Sequence, residues 1–180
     1  MTAVAVRPRS FVVLAGLPGA GKSTLLAHLD SGGAPVVVLD SDQVRTRLRA
    51  VFPERLPYRV YRPLVHLVHR LRVLVFAIGG TGLLVVHEPS TRPTTRAGLV
   101  AVGALTGRHR LFLWLDATAD EALAGQVERG RLVRGRSFSR HVRRAAWLRG
   151  RFAGGWVPRG WDALVVVTRQ DRVRLSVTPD

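Results

Sequence analysis

A glycine-rich segment near the start of the chain carries the clearest chemical signal. Residues 16–24 read Gly-Leu-Pro-Gly-Ala-Gly-Lys-Ser-Thr, after an apolar run and before a helical pattern. Glycines in such a loop let backbone N–H groups surround a phosphate, and the following helix adds its positive end. The G-x-x-x-x-G-K-[ST] spacing in this context predicts a P-loop. The predicted nucleotide-binding residues are Gly16, Pro18, Gly19, Ala20, Gly21, Lys22, Ser23 and Thr24.

Two side chains in this loop have separate predicted roles. Lys22 reaches the β and γ phosphates, and the Ser23 hydroxyl binds Mg²⁺. Lys22 is the only lysine in a chain whose other cationic residues are all arginine. A compact ammonium suits this position where a planar guanidinium does not, so its retention supports the P-loop interpretation.

The second candidate site follows the next apolar run. Residues 36–45 read Val-Val-Val-Leu-Asp-Ser-Asp-Gln-Val-Arg. Asp42 and Arg45 lie one helical turn apart, so the carboxylate can accept a proton from an attacking hydroxyl while the arginine holds an acidic part of the acceptor. The alternative is that Asp42 only caps a helix and Arg45 is solvated.

These candidates require a parallel α/β framework to bring them together. Short apolar runs alternate with helical patterns, which is typical of βαβ units whose strands are buried on both faces. The predicted strands are 10–15, 35–39, 83–86, 111–115 and 163–168, with a further edge strand at 172–177. The predicted helices are 22–29, 42–51, 64–78, 95–105, 119–129 and 139–151. Residues 53–63 are predicted to be an irregular basic connection, with Pro63 opening the next helix.

Composition excludes several classes of protein. The chain has 180 residues, 47% of them apolar, which is enough for one compact domain over residues 1–180. The absence of cysteine excludes thiol catalysis and cysteine-bound metal sites. No apolar stretch is long enough to span a bilayer and no signal-type segment opens the chain, so we expect a soluble, cytoplasmic protein.

The net charge of +16 has two explanations. Genome composition that favours arginine codons would produce it without functional meaning. A polyanionic acceptor, such as a nucleic-acid 5′ end or a phosphorylated metabolite, would use it to bind.

The sequence resembles the P-loop kinases of the polynucleotide-kinase type, with related adenylyl-sulfate, gluconate and zeta-toxin-like kinases. The resemblance covers about residues 10–170 and rests on the P-loop, on Asp42-x-x-Arg45, on a third strand followed by Glu88 and Arg96, and on an arginine-rich segment after the fourth strand. It implies a single-domain P-loop NTPase fold with a five-stranded, mostly parallel sheet, helices on both faces and an arginine-rich lid at about 129–151.

The resemblance also implies residue roles. Asp42 becomes the general base, and Arg45 contacts a substrate phosphate. Glu88 stands where the family usually has aspartate, which leaves open whether it holds Mg²⁺, positions the acceptor together with Arg96, or only bonds the next loop. The lid arginines expected to act on the transferred phosphoryl group are Arg129, Arg131 and Arg134. A lone histidine at a strand end, His87, is more often structural than catalytic.

The predicted function is therefore an ATP- and Mg²⁺-dependent kinase acting on a hydroxyl of an acidic acceptor, with a nucleic-acid 5′-hydroxyl as one candidate. A small-molecule kinase acting on an antibiotic, sugar or nucleoside is the first alternative. A nucleotide-binding regulatory module with little turnover is the second. No guanine-reading Asn-Lys-x-Asp segment occurs, which favours ATP over GTP.

Overall fold

Five parallel strands form the central sheet, and helices flank it. A computed structural model describes residues 1–130 and 135–178. The strands are β1 (Thr2–Val6), β2 (Ser10–Gly16), β3 (Val36–Asp40), β4 (Leu83–His87), β5 (His109–Leu115), β6 (Ala163–Val167) and β7 (Val173–Val177). The helices are α1 (Lys22–Ala27), α2 (Ser41–Val51), α3 (Tyr58–Gly79), α4 (Pro93–Leu105), α5 (Ala119–Glu128) and α6 (Gly135–Ala153).

The order of the main sheet is β3-β4-β2-β5-β6, and all its neighbours run parallel. All seven residues of the central strand β2 are buried, as expected for a strand with neighbours on both sides and helices on both faces. The predicted α/β fold class, with five strands at nearly the predicted positions, is confirmed. Because the strands are parallel, their carboxyl ends share one edge, where Asp40 pairs in register with His87 and Gly16 with Leu115.

The first and last strands form a small separate sheet, and only one of the two was predicted from the sequence. Strand β7, predicted as an edge strand, pairs in parallel with β1, which was not predicted. Val4, Val6, Val173 and Leu175 are buried there, so alternate residues of both strands extend the core.

The prediction that residues 53–63 are irregular is correct for 53–57 only, and the prediction that Pro63 opens the next helix is wrong. Helix α3 begins at Tyr58 after Pro57, and Pro63 lies inside it. Pro63 removes one intrahelical hydrogen bond. The helix nevertheless forms because Tyr61 and Val65 bury themselves against Val44 of α2 in a second apolar cluster.

The other end of α3 is held by one buried arginine. Helix α3 ends at Gly79, with Gly80 as its C-cap. Arg108, only 3% exposed, donates to the carbonyl oxygens of Phe76, Ala77, Gly80 and Gly82. The Ala77 carbonyl belongs to the last helical turn, where carbonyls lack intrahelical partners, whereas the Phe76 carbonyl also accepts the Gly80 amide. Arg108 therefore fixes the turn that leads from α3 into β4.

We expect Arg108→Met to destabilise the fold by about 3 kcal/mol, because it leaves several carbonyls without a donor. Chemical denaturation would measure the change in the free energy of unfolding. Arg9→Met is the matched control, since it removes the same charge from an exposed side chain with one long contact to Thr106. Equal, small effects of both substitutions would contradict this role of Arg108.

Candidate functional site

The glycine loop lies at the carboxyl end of β2 and leads into α1. Gly19 and Gly21 have φ angles of 90° and 103°, which residues with side chains rarely adopt. A Cβ at Gly19 would lie 2.0 Å from the carbonyl oxygen of Ala122 in α5. The motif therefore needs glycine at position 19 both for its backbone conformation and for its close contact with α5.

Helix α5 supports the loop from one side. Gln126 Nε2 donates to the carbonyl oxygen of Pro18 at 2.9 Å. A Cβ on Gly125 would lie 2.4 Å from the carbonyl oxygen of Gly19, so only glycine fits there. Neither Gln126 nor Gly125 was predicted from the sequence, because no local pattern marks them.

Lys22 is the most unusual charged group in the site. Its side chain is buried, and Nζ donates to the carbonyl oxygens of Gly16 at 3.0 Å and Leu17 at 2.7 Å. Burial lowers the pKa of Lys22 to about 8, while the charges of Glu88 and Asp40 oppose this change. An ammonium has three donors, so one remains for a ligand.

The two carboxylates that act on Lys22 come from neighbouring strand ends. Burial raises the pKa of Glu88, and the positive charges of Arg70 and Lys22 act in the opposite direction. Its backbone N–H donates to Leu14 O of β2 at 3.2 Å. Glu88 and Lys22 are thus close enough for the charge of each to affect the pKa of the other, while binding of a metal or an acceptor by Glu88 stays a prediction.

Asp40, which was not among the predicted site residues, is paired with His87. The distance between His87 Nδ1 and Asp40 Oδ2 is 2.6 Å. Burial alone would raise the pKa of Asp40, but the hydrogen bond and charge of His87 outweigh it and lower the pKa. Asp40 also accepts a hydrogen bond from the Asp42 amide and so caps α2. The capping role that sequence analysis weighed for Asp42 belongs to Asp40.

Asp42 itself faces solvent, and its neighbour Arg45 is held nearby. The Asp42 side chain is 46% exposed, and its Oδ1 lies 3.9 Å from Arg45 Nη1. The Arg45 guanidinium lies over the ring of Tyr58, 4.3 Å from its centroid. This geometry keeps the carboxylate accessible to a molecule arriving from solvent and restricts the arginine beside it.

Helix α3 brings two further groups to this edge that the sequence analysis missed. His69 is 2% exposed, and neither ring nitrogen has a hydrogen-bond partner among the described residues. Burial lowers the pKa of His69 to about 4, against the charge of Asp40. Arg70, on the next position, is close enough to Glu88 to stabilise its charged form.

The structure describes one of the three arginines that were predicted to act in the lid. Arg129 Nη2 lies 3.3 Å from Thr24 Oγ1 of the loop motif, and its charge acts on Lys22. Arg131 and Arg134 lie outside the described residues. Among the predicted lid arginines within the described residues, Arg129 contacts the loop.

Helix α6 adds cationic groups on the same side. His141 Nδ1 lies 2.7 Å from Thr91 Oγ1, and burial lowers its pKa to about 4. The positive charges of Arg92, Arg144, Lys22 and Arg140 act in the same direction, in decreasing order. A histidine surrounded by cations marks a region whose electrostatic potential favours an anion.

Arg96 is buried, and its Nη1 donates to the carbonyl oxygens of Ser90 at 2.9 Å and Thr91 at 3.0 Å. These bonds hold the β4–α4 loop, where Ser90 has a φ of 51°. Contact of Arg96 with a substrate stays a prediction.

The donors present suit Mg²⁺ bound together with a nucleotide. No group of three metal-binding histidine or acidic side chains occurs within residues 1–130 and 135–178. Mg²⁺ at nucleotide sites keeps several waters and takes only one or two protein ligands besides the phosphates. The Ser23 hydroxyl and the Glu88 carboxylate, the predicted metal residues, provide that number.

Cavity size does not identify this site. Two cavities of about 620 and 540 Å³ lie at the amino ends of the strands, lined by residues such as His109 and Gly82. The glycine loop lies at the opposite edge of the sheet.

None of the helices in the described part of the chain has both the length and the apolar character needed to cross a membrane.

Comparison with known proteins places the chain in a broad group. The family model of an AAA domain matches residues 11–153. No curated protein matches the sequence. A chain of the PezAT chromosomal toxin-antitoxin system of Streptococcus pneumoniae is 12% identical with a TM-score of 0.65, and the match covers 93% of this chain and 71% of that one.

Two other solved structures share the fold. A chain of the Pnkp1/Rnl/Hen1 RNA repair complex is 16% identical with a TM-score of 0.62, and the match covers 81% of this chain and 47% of that one. The APS kinase CysC of Mycobacterium tuberculosis, solved with AMPPNP and APS, is 18% identical with a TM-score of 0.51 over 92% and 91% of the two chains. The fold of the P-loop kinase-like group is therefore shown.

We expect Gly125→Ala to displace the loop, because the new Cβ meets a backbone oxygen that cannot move alone. Stability should fall by about 1–3 kcal/mol and the affinity for nucleotide should fall with it. Gly150→Ala in α6 is the control, since its Cβ meets open space and should stabilise the helix by about 0.5–1 kcal/mol. Thermal unfolding and nucleotide titration measure both effects. Unchanged affinity in Gly125→Ala would contradict the supporting role of α5.

We expect nucleotide affinity to fall as the pH rises above about 8, where Lys22 loses its proton in the free protein. A bound phosphate raises the pKa of this ammonium, so affinity can drop by up to about tenfold per pH unit beyond that point. Equilibrium titration between pH 7 and pH 9.5 measures the change, and Lys22→Ala should remove this pH dependence. Constant affinity across the range would show that Lys22 does not bind the phosphates as a cation.

Proposed function

Because the chain belongs to the AAA domain family, we propose that it is an ATP- and Mg²⁺-dependent kinase that transfers the γ-phosphate to a hydroxyl of an acidic acceptor. One observation carries this proposal. The Lys22 ammonium is buried in the glycine loop, where the negative charges of Glu88 and Asp40 and the positive charge of Arg129 all act on it. This distribution of charge suits the binding of a triphosphate and the transfer of its terminal phosphoryl group.

The donor side of the proposal rests on the loop and its surroundings. Lys22 keeps one N–H for a phosphate oxygen after its two bonds to loop carbonyls. Arg129 lies beside Thr24, so its guanidinium is near the loop end where terminal phosphates bind. ATP is supported by the AMPPNP that occupies the similarly folded APS kinase. The cytoplasm, where ATP is available, is the compartment that this proposal requires.

The acceptor side rests on α2. Asp42 is open to solvent and Arg45 is held between it and Tyr58, so an acceptor can place its hydroxyl at the carboxylate and an acidic group at the arginine. Arg55, in the segment before α3, and Arg59 and Arg70, on α3 itself, add positive charge to this side. An acidic acceptor would be attracted there.

The proposed reaction uses these groups in sequence. Asp42 accepts the proton of the acceptor hydroxyl while the oxygen of that hydroxyl attacks the γ-phosphorus. The bond between that phosphorus and the bridging oxygen of ADP breaks, and the acceptor leaves as a phosphate ester. Lys22 and Arg129 stabilise the charge on the transferring group and on ADP. Mg²⁺, held by Ser23 and Glu88, would neutralise phosphate charge when bound.

The Asp40–His87 pair has a supporting role in this scheme. Its 2.6 Å hydrogen bond joins the ends of β3 and β4, and Asp40 caps the helix that carries Asp42 and Arg45. His87 is thereby a positioning residue for the acceptor side. Asp40 is not proposed as the base, because its oxygens are already engaged by His87 and by the Asp42 amide.

A nucleic-acid 5′-hydroxyl is the first acceptor to test, given the net charge of +16 and the similarly folded chain of an RNA repair complex. We expect transfer of labelled γ-phosphate from Mg-ATP to a 5′-hydroxyl oligonucleotide. Lys22→Ala and Asp42→Asn should each reduce the rate by about 10²–10⁴-fold. Asp120→Asn, the same chemical change at an exposed residue of α5, should leave the rate unchanged.

Salt separates a polynucleotide acceptor from a small one. Affinity for an oligonucleotide should fall steeply between low and moderate salt, whereas a small neutral acceptor should show little change. Transfer only to an antibiotic, sugar or nucleoside would support the small-molecule kinase instead. Nucleotide binding through Lys22 without transfer to any acceptor would support the regulatory module and contradict a kinase.

A further inference from the structure

Helix α3 has a second apolar face that is exposed in the described part of the chain. The buried face, formed by Tyr61, Val65, His69, Val73 and Ala77, packs toward α2 and the sheet. Six of the exposed apolar residues of the helix share one side: Val60 (58%), Leu64 (38%), Leu67 (55%), Leu71 (52%), Leu74 (38%) and Ile78 (64%). We call these six the α3 stripe. At 100° per residue the stripe lies almost opposite the buried face.

The spacing of the α3 stripe is that of a helix–helix seam. Successive members are separated by four, three, four, three and four residues. An apolar repeat that averages 3.5 residues keeps one face toward a partner helix along its whole length. The stripe extends over about 27 Å, or five helical turns. A scatter of surface leucines would not hold this period.

The exposed area is larger than monomeric proteins usually leave open. With Val75, which is 65% exposed beside the stripe, it amounts to roughly 600–700 Å², above the several hundred Å² typical of a monomer's largest patch. An interface of standard size needs about 800 Å² from each partner. The stripe with its flanking side chains therefore supplies nearly all the area of a stable dimer.

A groove continues this apolar surface. Val75, Phe76 and Gly79 of α3, together with Val36 and Val37 of the edge strand β3, line the cavity of about 540 Å³. Side chains of a partner helix on the stripe could extend into this groove and so enlarge the buried area.

The order of residue types along the stripe favours a second copy of this chain as the partner. Read from either end, it gives one β-branched residue followed by leucines: Val60, Leu64 and Leu67 from one end, and Ile78, Leu74 and Leu71 from the other. Around a two-fold axis residue i contacts j and j contacts i, so antiparallel packing of two stripes would place a β-branched residue opposite a β-branched residue and a leucine opposite a leucine at every level.

We propose that two copies of this chain form a two-fold symmetric dimer through antiparallel packing of their α3 stripes. Val60 of one copy lies opposite Ile78 of the other, Leu64 opposite Leu74, and Leu67 opposite Leu71. Each copy keeps the opposite face of α3, with His69, directed toward its own Asp40. The proposal is independent of the kinase assignment.

Charge sets the salt dependence of this dimer. Helix α3 has four arginines, no acidic residue, and none of its charges within the stripe. Each copy carries a net charge of +16, so two copies repel one another at low salt. Dimerisation should therefore strengthen as salt screens this repulsion. An acidic partner helix on the same surface would show the opposite dependence.

Sedimentation of the full chain tests the assembly. We expect a species of roughly twice 19.8 kDa at micromolar concentration and moderate salt. Leu67→Glu and Leu71→Glu should each weaken dimerisation by at least about 100-fold, since an unpaired charge would be buried. Leu105→Glu is the matched control, because Leu105 is 85% exposed on α4 and should leave the dimer intact. Circular dichroism and thermal unfolding verify that every variant is folded.

Crosslinking tests the orientation, since the chain has no cysteine of its own. A Leu67→Cys chain mixed with a Leu71→Cys chain should form a mixed disulfide on mild oxidation. In a parallel dimer each variant would instead crosslink to itself, which would overturn the proposed packing. A chain that stays monomeric at all protein and salt concentrations would overturn the dimer itself. The same holds if that monomer binds an acidic amphipathic peptide through the stripe, because the occupant would then be another protein.

Discussion

The burial of one ammonium group inside a loop of main-chain carbonyls is the constraint on which this site depends. Lys22 is removed from water and its pKa falls to about 8, so the fold must keep carboxylates near it. Glu88 and Asp40 meet that need because β4 and β3 end at the same edge as β2. The order of strands is therefore also an electrostatic arrangement.

The charges around Lys22 are divided between two sides. Carboxylates come from the strand ends on the β3–β4 side, where His87 shares a hydrogen bond with Asp40 and the positive charge of Arg70 acts on Glu88. Further cations come from α5 and α6, where His141 lies among arginines that depress its pKa. In the proposed function these cations attract a polyphosphate, while the carboxylate side is suited to a metal ion and a proton acceptor.

Helix α3 connects the site to the rest of the molecule. Its buried face brings His69 and Arg70 to the carboxyl edge of the sheet, and Arg108 fixes its far end. Its outer face carries the α3 stripe. A rigid helix with both surfaces defined can bind a partner on one side without covering the groups on the other.

The fold class, the P-loop and the strand ends next to Asp42 and Glu88 could be predicted from the sequence, because these features follow from residues close together in the chain. The distant side chains that complete them are visible only in the folded molecule. Asp40 and His87 are 47 residues apart, and Gln126 and Pro18 are 108 apart. Glycine at position 125 and arginine at position 108 likewise have no local signature, since each is required by the backbone of another element. The early start of α3 was missed for the same reason: its first turns form through packing on α2, which outweighs the local effect of proline.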